Sequence, residues 1–182
     1  MANSVPLTLI NSTDGSTVSV IYLGNQLTPH LPDYKVTLGS YWYVVLDRSS
    51  LAVAASFQTT DTSNVPQALN PYLNNPQYLL IVLANSISTG NSGPPDGNLY
   101  AFFQEMGSSA ALAELEQVIA ATGSGTFGVY AYTLVAIMDG SACFDFVLYN
   151  APPETKPYAL QLIPLDNLGG GSFYTPQKLN GV

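Results

Sequence analysis

Tyr78-Leu79-Leu80-Ile81-Val82-Leu83-Ala84 is an unbroken apolar run in which no alternate position is polar. A strand with one face in water alternates apolar and polar side chains, whereas a strand covered on both faces reads continuously apolar. The run is far too short to cross a bilayer, and it is read as the central strand of the fold. Tyr41-Trp42-Tyr43-Val44-Val45-Leu46-Asp47 has the same character, with aromatic and β-branched residues suited to a strand buried on both sides. After Arg48-Ser49-Ser50 the chain returns through residues 51–58, which predicts a hairpin.

Upstream, the apolar segments 7–10 and 18–23 flank Asn11-Ser12-Thr13-Asp14-Gly15. Asp-Gly between such segments predicts a β-hairpin, because glycine tolerates the positive φ of a tight turn. Asn11-Ser12-Thr13 also matches a glycosylation acceptor, read here as a chance match. Two prolines make residues 28–32 a loop, and residues 35–38 are read as a short strand. In residues 64–74, Val65, Leu69, Tyr72 and Leu73 fall at helical spacing. Pro66 suits a first turn and Pro71 stops the helix after one or two turns.

Downstream of the central strand, residues 85–98 hold three glycines and two prolines and are read as a long loop. Leu99, Phe102, Phe103 and Met106 then form the apolar stripe of a helix ending near Gly107. Residues 110–121 form a second helix with Leu112, Leu115, Val118 and Ile119 inward, Glu114 and Glu116 toward solvent, and Gly123 at its C-terminal cap. Residues 127–138 are read as a buried strand or strand pair and 143–149 as another strand joined to it through Asp139-Gly140, and residues 158–165 are the last strand expected. Residues 1–167 are read as a single domain. Residues 168–182, with three consecutive glycines, are read as a flexible or draped tail.

The order of strands, short helix, strand, paired helices and strands gives an α+β class: a compact two-sheet β-sandwich with a few short helices packed on it. It lacks the regular βαβα alternation of a doubly wound nucleotide fold.

Composition narrows the functions. Of 182 residues 47% are hydrophobic and only 9% charged, against roughly 25% charged in an average soluble protein. The net charge of −8 sets 12 carboxylates against Lys35, Arg48, Lys156 and Lys178. Four scattered cations make no basic stripe, so no nucleic-acid partner is expected, and an anionic membrane surface is disfavoured. Cys143 is alone and is read as a small buried residue. His30, between two prolines, is read as a loop residue, so neither a metal site nor a catalytic triad is expected, and no cofactor. The N-terminus carries no signal-peptide pattern. Synthesis in the cytoplasm is expected, with the final site left open to a particle or a non-classical export route.

Several stretches resemble a known family. Tyr22-Leu23-Gly24, then Gly39-Ser40-Tyr41-Trp42-Tyr43-Val44-Val45-Leu46-Asp47, then Ala54-Ala55-Ser56-Phe57-Gln58-Thr59 resemble the opening of the interleukin-like EMT inducer domain, also called the GG domain. In that family a glycine precedes a strand ending in a short turn, and the returning strand ends in a Phe-Asp type pair. Residues 64–73 sit where the family's first helix lies and residues 78–85 where its central strand lies. Phe103-Gln104-Glu105-Met106-Gly107-Ser108 is similar to the family's Leu-Gly-Ser helix end, and residues 130–138 match the strand after the second helix. The resemblance covers roughly residues 18–140. It implies a compact β-sandwich with helices packed on it and no catalytic residues. The family includes secreted cytokine-like proteins and the sugar-binding stem domain of an O-mannose glycosyltransferase. The disulfide cysteines of the secreted members are missing here, and Arg48 is the only arginine, so the charged sugar contacts of the stem domain have few counterparts.

The expected role is therefore a non-enzymatic binding module that recognises a glycan or a glycosylated or protein surface. The rival expectation is a structural subunit of a particle, tail or toxin complex that homo-oligomerises. Asn91, Asp96 and Asn98 of the 85–98 loop are candidate polyol contacts. Tyr149 and Tyr158, beside the proline-rich 151–157 segment, are candidate exposed aromatic platforms. Trp42 is assigned to the core. Asp47, Asp61, Asp139 and Asp145 are the carboxylates from which a glycosidase pair would be drawn. Asp145, inside an apolar strand, is the one that a turn does not explain.

Overall fold

The structure is a computed structural model that describes residues 3–12, 19–26, 39–88, 95–122, 129–150, 158–167 and 171–178. Ten strands and two helices appear in the order β1 (Asn3–Ser12), β2 (Val20–Leu23), β3 (Asn25–Gln26), β4 (Ser40–Asp47), β5 (Val53–Thr59), β6 (Tyr78–Ser88), α1 (Gly97–Glu105), α2 (Ala110–Thr122), β7 (Val129–Ile137), β8 (Cys143–Asn150), β9 (Tyr158–Asn167) and β10 (Thr175–Pro176). A 3-10 turn, Gln67–Leu69, lies between β5 and β6.

The strands form two antiparallel sheets, ordered β10-β9-β1-β2-β3 and β5-β4-β6-β7-β8. The second sheet is covered on both faces, which explains the continuous apolar runs. Trp42, Val44 and Leu46 of β4, with Leu79, Ile81 and Leu83 of β6, face Leu7, Leu9, Ile21, Ile163 and Leu165 of the first sheet. Tyr41, Tyr43 and Val45, with Leu80, Val82 and Ala84, face Leu99, Phe102, Phe103 and Met106 of the α1 region and Leu112 and Leu115 of α2. The molecule is thus layered sheet, sheet, helices. The two-sheet arrangement with helices on one face follows the sequence expectation, and Trp42 is fully buried between the sheets.

Both hairpins form. β1 pairs with β2 with Leu7 opposite Leu23, and β4 pairs with β5 with Trp42 opposite Gln58. The expected one or two turns in residues 64–74 are a 3-10 turn followed by hydrogen-bonded turns. The expected loop over 85–98 is shorter than predicted. After a bulge beyond Ala84, β6 continues, pairing Ile87 with Tyr130 and Ser88 with Val129, and α1 already begins at Gly97. A bulge absorbs residues that break an apolar pattern while the ladder goes on, so composition alone misplaces the strand end.

The strand expected at 158–165 extends to Asn167 and is followed by β10, which pairs Thr175 with Asp166 and Pro176 with Leu165. Within the glycine-rich segment, Tyr174 N–H donates to Arg48 O and Gln177 N–H to Pro164 O. Arg48 anchors this strap. Its Nε donates to Tyr174 O, its Nη1 to Pro76 O and its Nη2 to Thr175 Oγ1, and Phe173 lies against its guanidinium. The expectations for residues 28–32, 35–38 and Gly123, and His30 with them, lie outside the described residues.

A second polar side chain, buried in the interior, also bridges the sheets. Asn11, only 2% exposed, donates from Nδ2 to Ala84 O, Tyr132 O and Thr133 Oγ1 and accepts from Ser19 Oγ. These acceptors lie where the β6–β7 bulge begins. The amide nitrogen that a glycan would use is thus engaged inside the fold, in keeping with a chance sequon match.

Candidate functional site

The residues with the most defined surroundings lie on the helix side of the second sheet. Asp61 begins this region: its Oδ1 accepts from Ser63 N–H and Asn64 N–H, and its Oδ2 from Asn64 Nδ2. These bonds hold the Asp61 carboxyl below its ordinary pKa, with the Ser63 amide as the largest cause. The turn so formed receives α1. Asp96 N–H donates to Thr62 O and Leu99 N–H to Ser63 O. Gly97, at φ +50°, makes the entry; a Cβ there would stand 3.3 Å from Ser63 O.

The 65–74 segment is fixed independently. Leu69 is buried, Tyr72 Oη donates to Ala54 O, and the Tyr72 ring meets Tyr78 edge-on at 4.9 Å. Asn74 occupies the left-handed region at φ +56°, which asparagine tolerates better than most residues. At the far end of α1, Gly107 N–H returns to Gln104 O, and Gly140 (φ +75°) lies against Glu105 O so closely that a Cβ would meet it at 2.3 Å.

Between these two walls runs a groove of about 240 Å³, lined by Val65, Asn70, Leu73, Asn74, Asn98, Ala101, Phe102, Glu105 and Met106. Three amide side chains and one carboxylate surround an apolar floor. Amides present both donors and acceptors, and a carboxylate accepts. A neutral, hydroxyl-rich ligand with one apolar face satisfies such a lining better than a phosphate does.

Asn98 is the sequence-predicted residue that lines this groove. Asp96 is exposed at the N-cap of α1 and makes no side-chain capping bond. Asn91 lies outside the described residues. Tyr149 is in β8 opposite Tyr130, and Tyr158 opens β9 opposite Ser12, so their backbones belong to different sheets; their side chains lie outside the described set. Sequence reasoning missed Asn70, Leu73 and Asn74. Their signal is present as amides spaced around Pro71, but the helical stripe of the segment masks its polar rim.

The four carboxylates have structural partners. Asp47 Oδ1 accepts from Ser49 and Ser50, and its Oδ2 from Gln77 Nε2 at 2.6 Å. The Ser49 and Gln77 side-chain bonds hold its carboxyl far below the usual range. Asp139 accepts from Ser141 N–H, and its carboxyl is lowered, first by its Ser141 partner. Asp145 Oδ2 accepts from Ser108 Oγ at 2.6 Å and from Ala111 N–H at 3.3 Å, so it tethers the first turn of α2 from another element. Tyr132 Oη donates to Ser108 Oγ, completing a Tyr–Ser–Asp chain from the core to that helix end. Neither general-acid nor nucleophile duty follows from this arrangement. The Cys143 thiol is pushed up to about 12, mainly by burial, and is a poor nucleophile at neutral pH.

A second depression, of about 360 Å³, lies between β8 and β9 and includes Asp145, Gln161 and Lys178. Gln161 Oε1 is buried there without a hydrogen-bond partner among the described residues. Among the described residues, no group of three or more His, Cys, Asp or Glu is placed to hold a metal ion, and no helix is long and apolar enough to cross a membrane. No family model matches the chain, and no curated protein matches its sequence.

Proposed function

We propose that this chain is a non-enzymatic binding module with a GG-domain-like sandwich, and that it recognises a neutral glycan in the groove between the 65–74 segment and α1. The observation that carries this reading is the groove lining: Asn70, Asn74, Asn98 and Glu105 around Val65, Leu73, Phe102 and Met106. Hydroxyl pairs of a pyranose exchange hydrogen bonds with amides and carboxylates, while the axial C–H face of the ring packs on apolar carbon. The α1 wall is pinned to the 62–63 backbone by Asp96 N–H and Leu99 N–H, and the 65–74 wall by its own turns and by Tyr72 Oη on Ala54 O, which lowers the ordering cost of binding. The same residues offer no cation for a phosphate and no free acid pair for hydrolysis.

The test is a broad glycan-array screen of the purified chain beside Asn98→Ala. The expected result is a specific signal that falls about two- to tenfold in the variant, as loss of a hydrogen bond of about 0.5–1.5 kcal/mol requires. A signal unchanged by Asn98→Ala would move the ligand elsewhere on the molecule.

A further inference from the structure

Among the described residues, the outer face of the first sheet is largely apolar and nothing packs over it. Register places Val20, Ile10 and Leu160 in one row, Tyr22, Thr8 and Leu162 in the next, and Pro6 opposite Pro164 beyond them. All stand on the side opposite the inward Leu7, Leu9, Ile21, Ile163 and Leu165. Leu160 is 70% exposed, Leu162 49% and Tyr22 37%. Scattered exposed leucines need no explanation, but aligned rows on three adjacent strands form a contiguous patch of the kind that marks an interface.

The charges lie elsewhere. Among the described residues, Asp47, Asp61, Asp96, Glu105, Glu114, Glu116, Asp139 and Asp145 all belong to the second sheet, its turns or the helix layer, while the first sheet carries Asp166 at its rim. For a chain of net charge −8, the outer face of the first sheet is where a second copy can approach while meeting, among the described carboxylates, only Asp166 at the rim.

We propose that two copies of this chain pair back to back through this face, stacking their first sheets about a two-fold axis. At about 3.4 Å per residue and about 4.8 Å per strand, the five strands offer on the order of 450 Å² of flat face per copy. That exceeds a typical packing contact of under roughly 400 Å² per copy and falls short of the roughly 800 Å² of a standard stable interface. The dimer is therefore expected to be weak and reversible. The pairing does not depend on the glycan reading. Because the groove lies on the helix layer, at the other side of the molecule, a back-to-back dimer would present two grooves facing outward, which adds avidity without a new contact.

The experiment is sedimentation velocity over about 1–300 μM on the full chain, with Leu160→Asp/Leu162→Asp and, as a control, Glu114→Gln on the helix layer. Both leucines are exposed, so the double variant is expected to keep the wild-type melting temperature. The expected result is a concentration-dependent monomer–dimer shift in the wild type and the control, weakened at least about 100-fold in the double variant. A wild-type monomer at 300 μM would overturn the proposal, whether or not the face then binds neutral lipid vesicles. A dimer that survives both aspartates would overturn it equally. Should the double variant unfold, Tyr22→Lys at the edge of the patch reads the same face: a weakened dimer supports the pairing and an unweakened one overturns it.

Discussion

Asn11 is the residue on which the joint between the sheets turns. It is a polar side chain in a largely apolar interface, and its amide answers the carbonyls of Ala84 and Tyr132 at the point where the second sheet bulges. A buried carbonyl left without a donor costs about 1–3 kcal/mol. Asn11→Ala is therefore expected to lower unfolding free energy by roughly 2–4 kcal/mol, read by urea denaturation; a loss under about 1 kcal/mol would mean that water or a neighbour replaces the amide. Asp47 contributes to the acid limb of stability. Its folded-state pKa is depressed, so its contribution is fully present above the unfolded value of about 3.9 and is lost as pH falls below that toward the folded value. Asp47→Asn is expected to be less stable than wild type at pH 7, with the gap closing below about pH 4. Denaturation midpoints across pH 2–7 check this, and a gap that stays constant with pH would show that the carboxylate charge is irrelevant.

Among the elements, the buried strands were the most legible in the sequence. Residues 41–47 and 78–84 are continuously apolar because both faces of the second sheet are covered, and periodicity reports that condition directly. The helix stripes Leu99–Phe102–Phe103–Met106 and Leu112–Leu115 were readable for the same reason. What could not be read was set by distant partners. β6 runs past Asn85 because β7 supplies a ladder beyond the bulge, and β10 exists because Arg48, more than a hundred positions earlier, holds residues 173–175. Asp145 looked anomalous in its strand because its partner, the first turn of α2, is invisible to a local pattern. Of the candidate site, Asn98 was legible as a polar residue after a glycine-rich stretch, whereas the wall built by Asn70 and Asn74 required the packing of a 3-10 turn against α1. The α1–β8 corner makes its own prediction. Gly140 at φ +75° leaves no room for a Cβ beside Glu105 O, so Gly140→Ala is expected to cost at least about 2 kcal/mol in a thermal or urea melt. A neutral outcome would mean that the corner relaxes freely.

The whole molecule places its layers in an order that separates two surfaces. The helix layer carries the amide-lined groove, and the second sheet with the helices carries the described carboxylates apart from Asp166; the first sheet carries the apolar outer rows. The C-terminal strap closes the edge of that first sheet and covers Arg48, which is 6% exposed. Removing residues 171–182 is expected to destabilise the fold by about 1–3 kcal/mol, because the guanidinium loses Tyr174 O and Thr175 Oγ1. An unchanged melt would show that the strap only decorates the sheet.

The proposed function is glycan recognition in the groove, and backbone amide shifts of the isotopically labelled chain, titrated with a panel of neutral monosaccharides, read that event at the groove itself. Saturable shifts confined to residues 65–76 and 96–106 are expected. Shifts centred on β8 and β9, or none at about 50 mM sugar, a concentration that saturates even millimolar binding, would contradict glycan recognition at this site.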